Sequence, residues 1–194
     1  MFNSSWFRVR GEAATAATIA GMDAMPASLD ASPGVPDVAD DAVRVIYASE
    51  TGVTEHFATD ACHALRDAGV PFQLVPFDEL DLDALQAVGS ALFLVSTCQD
   101  GDPPDMAEKF WRERMQHPAS LSRLRYGMLA LGDSYYDEFC GFGRRLDQWL
   151  RASGAKTWFE RVEMDNEDEV AARRWHDRMG SVIKLRRNAG GPTT

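Results

Sequence analysis

From position 43 onward, apolar residues fall into two patterns that alternate along the chain. Short stretches rich in apolar residues occupy Val43–Ala48, Phe72–Pro76, Ser90–Ser96, Arg125–Gly132 and Lys156–Glu163 and predict five strands. Val43–Ala48 is continuous enough to be buried on both faces, and the strongly apolar Ser90–Ser96 reads as central. Helical spacing fills the gaps between them. Phe57, Ala61 and Leu65 recur every fourth residue, with Ala58 and Cys62 beside them, which predicts a helix over 54–68 with Asp60 and Arg66 off its apolar face. Gly69 stops it. A second helix is expected over 105–115, burying Met106, Phe110 and Met115. A third is expected over 141–153, burying Leu146, Trp149 and Leu150. A last one should run from a cap at Asp165 or Asn166 to about Leu185, with acids at its start and Lys184, Arg186 and Arg187 at its end, as the helix dipole favours. Residues 78–86 read as a loop with one helical turn. Strands alternating with helices make an α/β fold, a parallel sheet covered on both faces.

In such sheets ligands sit beyond the C-terminal ends of the strands. Three unusual loops fall there. The first is Ser49-Glu50-Thr51-Gly52-Val53-Thr54-Glu55, where small hydroxyl residues and one glycine precede a helix. A helix start offers unpaired N–H groups and a positive dipole end, and Ser49, Thr51 and Thr54 add hydroxyl donors. The loop has no lysine or arginine, so it suits a phosphate held by hydrogen bonds. An ordinary hydroxyl-capped helix would leave the same local pattern. The second loop, Thr97-Cys98-Gln99-Asp100-Gly101-Asp102-Pro103-Pro104, is stiffened by two prolines and a glycine. The third is Gly132-Asp133-Ser134-Tyr135-Tyr136-Asp137-Glu138-Phe139-Cys140.

The first 41 residues lack these patterns. Ala, Thr, Asp and Pro dominate, and two basic against six acidic residues leave the segment acidic, so 1–41 is expected to be a disordered tail. The folded domain should span 42–187, with 188–194 frayed. The chain of 194 residues carries 20 Lys and Arg against 30 Asp and Glu, a formal net charge of −10. That charge disfavours nucleic acid and anionic membrane surfaces as partners. No apolar run approaches the roughly 20 residues of a membrane span. Cys62, Cys98 and Cys140 are odd in number and widely spaced, with no CxxC, and read as reduced thiols of a cytoplasmic protein. The four histidines suggest no metal site.

Taken together and in order, the three loops resemble those of the FMN-binding, flavodoxin-like domain of the diflavin reductases, closest to that of the sulfite reductase flavoprotein, over about residues 43–184. The second family loop usually reads Ser-Thr-Tyr-Gly-Glu-Gly-Asp-Pro-Pro-Asp, against Ser96 to Asp105 here. The resemblance implies a doubly wound, five-stranded parallel sheet in the order 2-1-3-4-5, with FMN as cofactor. It assigns Ser49, Glu50, Thr51, Gly52, Val53 and Thr54 to the phosphate. It assigns Ser96, Thr97, Cys98 and Gln99, with Leu131, Gly132, Asp133, Ser134, Tyr135, Tyr136, Asp137, Glu138, Phe139 and Cys140, to the ring and ribityl chain. Asp165 falls at an acidic position near the flavin, and Tyr136 at the aromatic that stacks on the ring. Electrons would come from a separate NAD(P)H-dependent reductase and pass to an acceptor protein, the chain acting as a monomeric carrier with no catalytic acid, base or nucleophile. The chain ends after this domain, so FAD and NADPH modules are expected elsewhere.

Two departures from the family pattern stand out. Cys98 replaces an aromatic, and Gln99 replaces a glycine whose carbonyl turns toward the flavin N5, a turn that needs positive φ and suits glycine better than glutamine. They motivate an alternative, a flavodoxin-fold interaction or regulatory module with weak or lost FMN binding. A phosphorelay receiver shares the fold, but Ser49-Glu50, Ser96-Thr97 and Glu163-Met164-Asp165 stand where its acidic pair, aspartate and lysine belong. A nucleotide-hydrolysing loop needs Gly-Lys-Ser/Thr where this chain has Gly52-Val53-Thr54.

Overall fold

A computed structural model describes residues 42–166 and 168–189. The expected tail over 1–41, Glu167 and the last residues, 190–194, lie outside the described residues. In chain order the elements are β1 (Val43–Ala48), α1 (Val53–Asp67), β2 (Phe72–Pro76), a single turn at Phe77–Glu79, α2 (Leu82–Ala87), β3 (Ser90–Ser96), a turn at Gln99–Gly101, α3 (Asp105–Arg114), β4 (Arg125–Gly132), α4 (Gly141–Ala152), β5 (Lys156–Thr157), β6 (Val162–Asp165) and α5 (Glu169–Ala189). The sheet is parallel throughout, in the order β2-β1-β3-β4-β5, with β6 also paired to β4.

Alternation along the central strands feeds two cores. Val43 and Val45, Leu92 and Leu94, and Leu129 and Leu131 face Ala58, Ala61 and Leu65 of α1 and Ala171, Trp175 and Met179 of α5. Ile46, Phe93, Tyr126 and Met128 face Leu85 of α2, Ala107 and Phe110 of α3, and Phe142, Leu146 and Trp149 of α4. Apolar side chains on both faces are why these strands read as continuous apolar runs.

The expected fifth strand, Lys156–Glu163, is two pieces along the free edge of β4. Lys156 and Thr157 pair with Arg125 and Tyr126, and Val162 to Asp165 pair with Leu129 to Gly132. Between them the Phe159 ring folds over Gly127, where an added Cβ would lie 2.5 Å from Phe159 Cζ. A glycine in β4 makes the room that breaks its neighbour.

Two further expectations are corrected. Asp60 is buried (8% exposed) rather than off the packed face of α1. Desolvation raises its pKa, opposed by the charges of His56, His176 and His63. The cap of α5 is Asp168, whose carboxylate accepts from the N–H groups of Val170 (2.8 Å) and Ala171 (3.0 Å). Asp165 is engaged elsewhere, and α5 runs on to Ala189 rather than ending near Leu185.

A buried polar network fixes α4 against the sheet. The Tyr126 hydroxyl donates to the Asp147 carboxylate, which also accepts from Arg161 Nη1 (2.6 Å) and Arg151 Nε (3.2 Å). Burial, then this carboxylate, push the Tyr126 hydroxyl well above its ordinary pKa and keep it a donor. The second half of α4 is thereby held to β4 and to the segment just before β6.

Candidate functional site

At the end of β1 the chain turns through the first loop into α1. Gly52 stands at the helix N-cap with φ 86° and ψ −12°. Nothing lies within 4 Å of an added Cβ, so the left-handed backbone, not crowding, requires glycine here. Gly52 N–H donates to Ser49 Oγ (2.9 Å) and Glu50 N–H to Ser96 Oγ (3.1 Å). Ser96 Oγ donates in turn to the Ala48 carbonyl (3.2 Å), tying the ends of β1 and β3. No side chain caps α1. Thr54, 1% exposed, has a buried hydroxyl without a hydrogen-bond partner among the described residues, and so does Thr97 at the end of β3. Thr51 and Val53 are exposed beside them.

The second loop is a closed turn. Gly101 N–H donates to the Cys98 carbonyl (3.2 Å), and Cys98 N–H to that of Asp102 (2.9 Å). Positive φ falls at Asp100 (58°) and Gly101 (86°). Cys98 Sγ donates to Glu50 Oε2 (3.3 Å), which joins the second loop to the first. Burial, then this bond, push the thiol up to about 12, so it is a hydrogen-bond donor at neutral pH and not a thiolate nucleophile.

The third loop is folded on itself. Asp133 accepts from Tyr135 N–H through Oδ1 (2.9 Å) and from Tyr136 N–H through its carbonyl (3.2 Å). Across the edge of β6, Asp165 accepts from Ser134 N–H (3.1 Å) and from the Ser134 hydroxyl, and those two bonds hold its carboxyl below the ordinary range. Tyr135 is 87% exposed, while Tyr136 is half-buried with its ring edge-on to it, centroids 5.6 Å apart. Leu131 and Cys140 turn into the core, where Cys140 Sγ donates to the Ala130 carbonyl (3.3 Å). Gly132 is packed so closely that a Cβ would lie 2.7 Å from Cys140 N. Phe139 is half-buried beneath the Arg144 guanidinium (5.9 Å), and Asp137 and Glu138 face solvent.

The sequence-predicted residues therefore gather at the C-terminal ends of β1, β3, β4 and β6, joined by direct bonds between loops. The residues that brace them are less legible. Arg144 holds Glu163 through two bonds (2.9 and 2.8 Å), and Arg161 reaches the same carboxylate, which depresses the Glu163 pKa. Arg145 donates to the Gly101 carbonyl. In sequence these are charges on a helix and at a strand end, with no spacing that marks them. The donor set fits an anionic cofactor tail. An uncapped helix start, a left-handed glycine and the two unpartnered buried hydroxyls of Thr54 and Thr97 lie along one edge.

The comparisons with known proteins agree with this geometry. The family model described as flavodoxin matches residues 45–175. The sulfite reductase [NADPH] flavoprotein alpha-component of Bacillus subtilis (strain 168) is 34% identical over 150 residues, 77% of this chain and 24% of that protein. Its counterpart in Shewanella sp. (strain MR-4) is 34% identical over 143 residues, 73% of this chain and 24% of that protein. The chain thus spans about a quarter of these relatives. Among solved structures, the flavodoxin of Streptococcus pneumoniae TIGR4 superposes with a TM-score of 0.64 at 26% identity, covering 74% of this chain and 98% of that one. No helix among the described residues is long and apolar enough to cross a membrane. Sheet order, loop placement and family match coincide: this chain belongs to the flavodoxin family, whose members normally bind FMN and exchange electrons with redox partners.

Proposed function

We propose that this domain is an FMN electron carrier that accepts electrons from a separate NAD(P)H-dependent reductase and passes them to an acceptor protein. The observation that carries the reading is the Thr54 hydroxyl, buried at an uncapped helix start with no partner among the described residues. Leaving such a group unsatisfied costs about 1–3 kcal/mol, and a ligand that only accepts hydrogen bonds at that point removes the cost. A phosphate is such a ligand. Ser49, Thr51 and Thr54 would hold it through hydroxyls, with backbone N–H groups of Thr51, Val53 and Thr54, while the Gly52 and Glu50 N–H groups, given to Ser49 and Ser96, set the shape of the loop. Thr97, Cys98 and Gln99 on one side and Gly132 to Glu138 on the other would flank the ring, Tyr136 offering the half-buried aromatic face. Asp165 would act through Ser134, and Leu131, Phe139 and Cys140 would support the loop from within.

Bound FMN would supply the redox chemistry, while the protein binds it, orients it and excludes water. Exposed Asp100, Asp102, Asp137 and Glu138 rim the same edge and suit a basic docking surface on a partner. We place the carrier in the cytoplasm as a monomer, with residues 42–187 as the folded unit.

The Cys98–Glu50 bond favours one other reading, a module that keeps the fold with little FMN, because a thiol stands where the diflavin pattern has an aromatic face. A single experiment separates the two. Purified protein incubated with FMN and desalted should retain about one flavin per chain, and this holoprotein should be reduced by an NADPH-dependent flavin reductase module supplied in trans. Protein that stays colourless at saturating FMN supports the interaction module instead.

A further inference from the structure

We infer that Arg145 is a positioning residue for the second loop, anchoring the Cys98–Asp102 turn beside the ring end of the site. This rests on the proposed FMN function but acts through backbone, not through contact with the ligand.

Arg145 lies on α4, next to the first turn. Its Nη2 donates to the Gly101 carbonyl, and its guanidinium packs 5.2 Å from the ring centroid of Trp111 on α3. Among the described residues its Nε is buried without a partner, while its Nη2 is given to the Gly101 carbonyl. Gly101 itself is confined. A Cβ there would lie 2.7 Å from Glu138 Cβ, and a Cβ on Gly141 would lie 2.8 Å from Gly101 Cα. The third loop, the start of α4 and the Arg145 side chain therefore close on one peptide unit of the second loop.

Upstream, the turn closes through Gly101 N–H to the Cys98 carbonyl. It also holds Asp100 at φ 58°, which is unfavourable for a residue with a side chain and persists only where the surroundings over-determine it. Arg145 supplies that determination from outside the turn. Arg144, its neighbour in sequence, points the other way, to Glu163 and Phe139. Adjacent arginines thus brace different loops, and the effect of one is separable from that of the other. Planarity matters at 145. A lysine can reach a carbonyl but cannot lie flat on Trp111 while doing so.

The test uses the full chain with Arg145→Met and Arg145→Lys, without and with flavin. In the ligand-free chain, Arg145→Met should speed amide hydrogen exchange at Gly101 and Cys98 about tenfold or more, and leave Tyr136 N–H unchanged. With ligand, the dissociation constants for FMN and riboflavin should rise together, each about tenfold, because the loop serves the ring end and not the phosphate. Arg145→Lys should fall between wild type and Arg145→Met in both assays, and it carries the test if the methionine variant does not fold. Unchanged exchange at Gly101 overturns the anchor. Faster exchange with unaltered FMN and riboflavin affinity overturns its role in positioning the site. A wild type that binds neither flavin overturns the proposed function instead, and the exchange comparison alone then decides whether Arg145 anchors the turn.

Discussion

The first and third loops sit at the same edge of the sheet and solve opposite problems. The third loop satisfies its own polar groups: Asp133 takes the N–H groups of Tyr135 and Tyr136, and Asp165 takes both donors of Ser134. The first loop leaves donors over, with α1 uncapped and the Thr54 hydroxyl buried and unpaired. A self-satisfied loop offers a fixed shape; an unsatisfied one offers binding energy. The contrast suits a ligand with a flat ring at one end and a multiply accepting anion at the other. It also implies that changes in the two loops should differ in kind, the first altering affinity for the anion and the third altering rigidity.

The largest expected effect is in the first loop. Thr51→Ala combined with Thr54→Val should remove two hydrogen bonds to a charged group, about 1.5–3 kcal/mol each, from FMN binding. Thr54→Val alone should leave the ligand-free chain as stable as wild type or more so, because it deletes an unsatisfied hydroxyl. Calorimetry and thermal unfolding on the same samples check the opposite signs. A Thr54→Val chain destabilised without flavin would show that the hydroxyl has a structural partner.

A smaller effect, on stability, is expected where β6 supports the third loop. Glu163→Gln should cost about 1–2 kcal/mol at pH 7, since it removes a half-buried carboxylate paired to Arg144 and Arg161. The sign with pH follows from the depressed pKa. The carboxylate's stabilisation is fully present above its unfolded value near 4.5 and is lost as pH falls through the lower folded value. The gap between wild type and Glu163→Gln in denaturant unfolding should therefore close below pH 4.5. A gap that persists into acid would assign the loss to packing rather than charge.

The smallest effect separates two neighbours. Tyr136→Ala should weaken FMN binding by about 0.5–1.5 kcal/mol and release flavin fluorescence, whereas Tyr135→Ala, at an 87% exposed position, should do neither. The reverse outcome would mean that the exposed ring closes over the flavin.

Much of the fold was legible because burial on both faces writes strands as plain apolar runs, and the helices between them kept their period. What escaped depends on contacts distant in sequence. The fifth strand reads as continuous until Phe159 is placed over Gly127, a meeting of two residues 32 apart in sequence. Asp60 looks solvent-facing on α1 because the period of one helix does not report that α5 packs beside it. The cap expected at Asp165 or Asn166 falls to Asp168, because Asp165 accepts from Ser134, a partner 31 residues away in sequence. At the site, the loops announced themselves by composition: hydroxyls around a glycine, prolines after a glycine, paired tyrosines. Their braces did not, because an arginine reaching a carbonyl across two elements looks in sequence like any surface charge. The second loop shows the same limit, since its left-handed backbone at Asp100 and Gly101 lies where Arg145 and Glu138 close on the turn, contacts that no spacing announces.

The central claim is that the first loop spends its unpaired donors on a phosphate. The most direct measurement is calorimetric titration of the purified chain with FMN and with riboflavin, which differ only in that group. FMN should bind at about one per chain and at least 100-fold more tightly than riboflavin, as two or more hydrogen bonds to a charged group require. Equal affinity for the two would contradict the account.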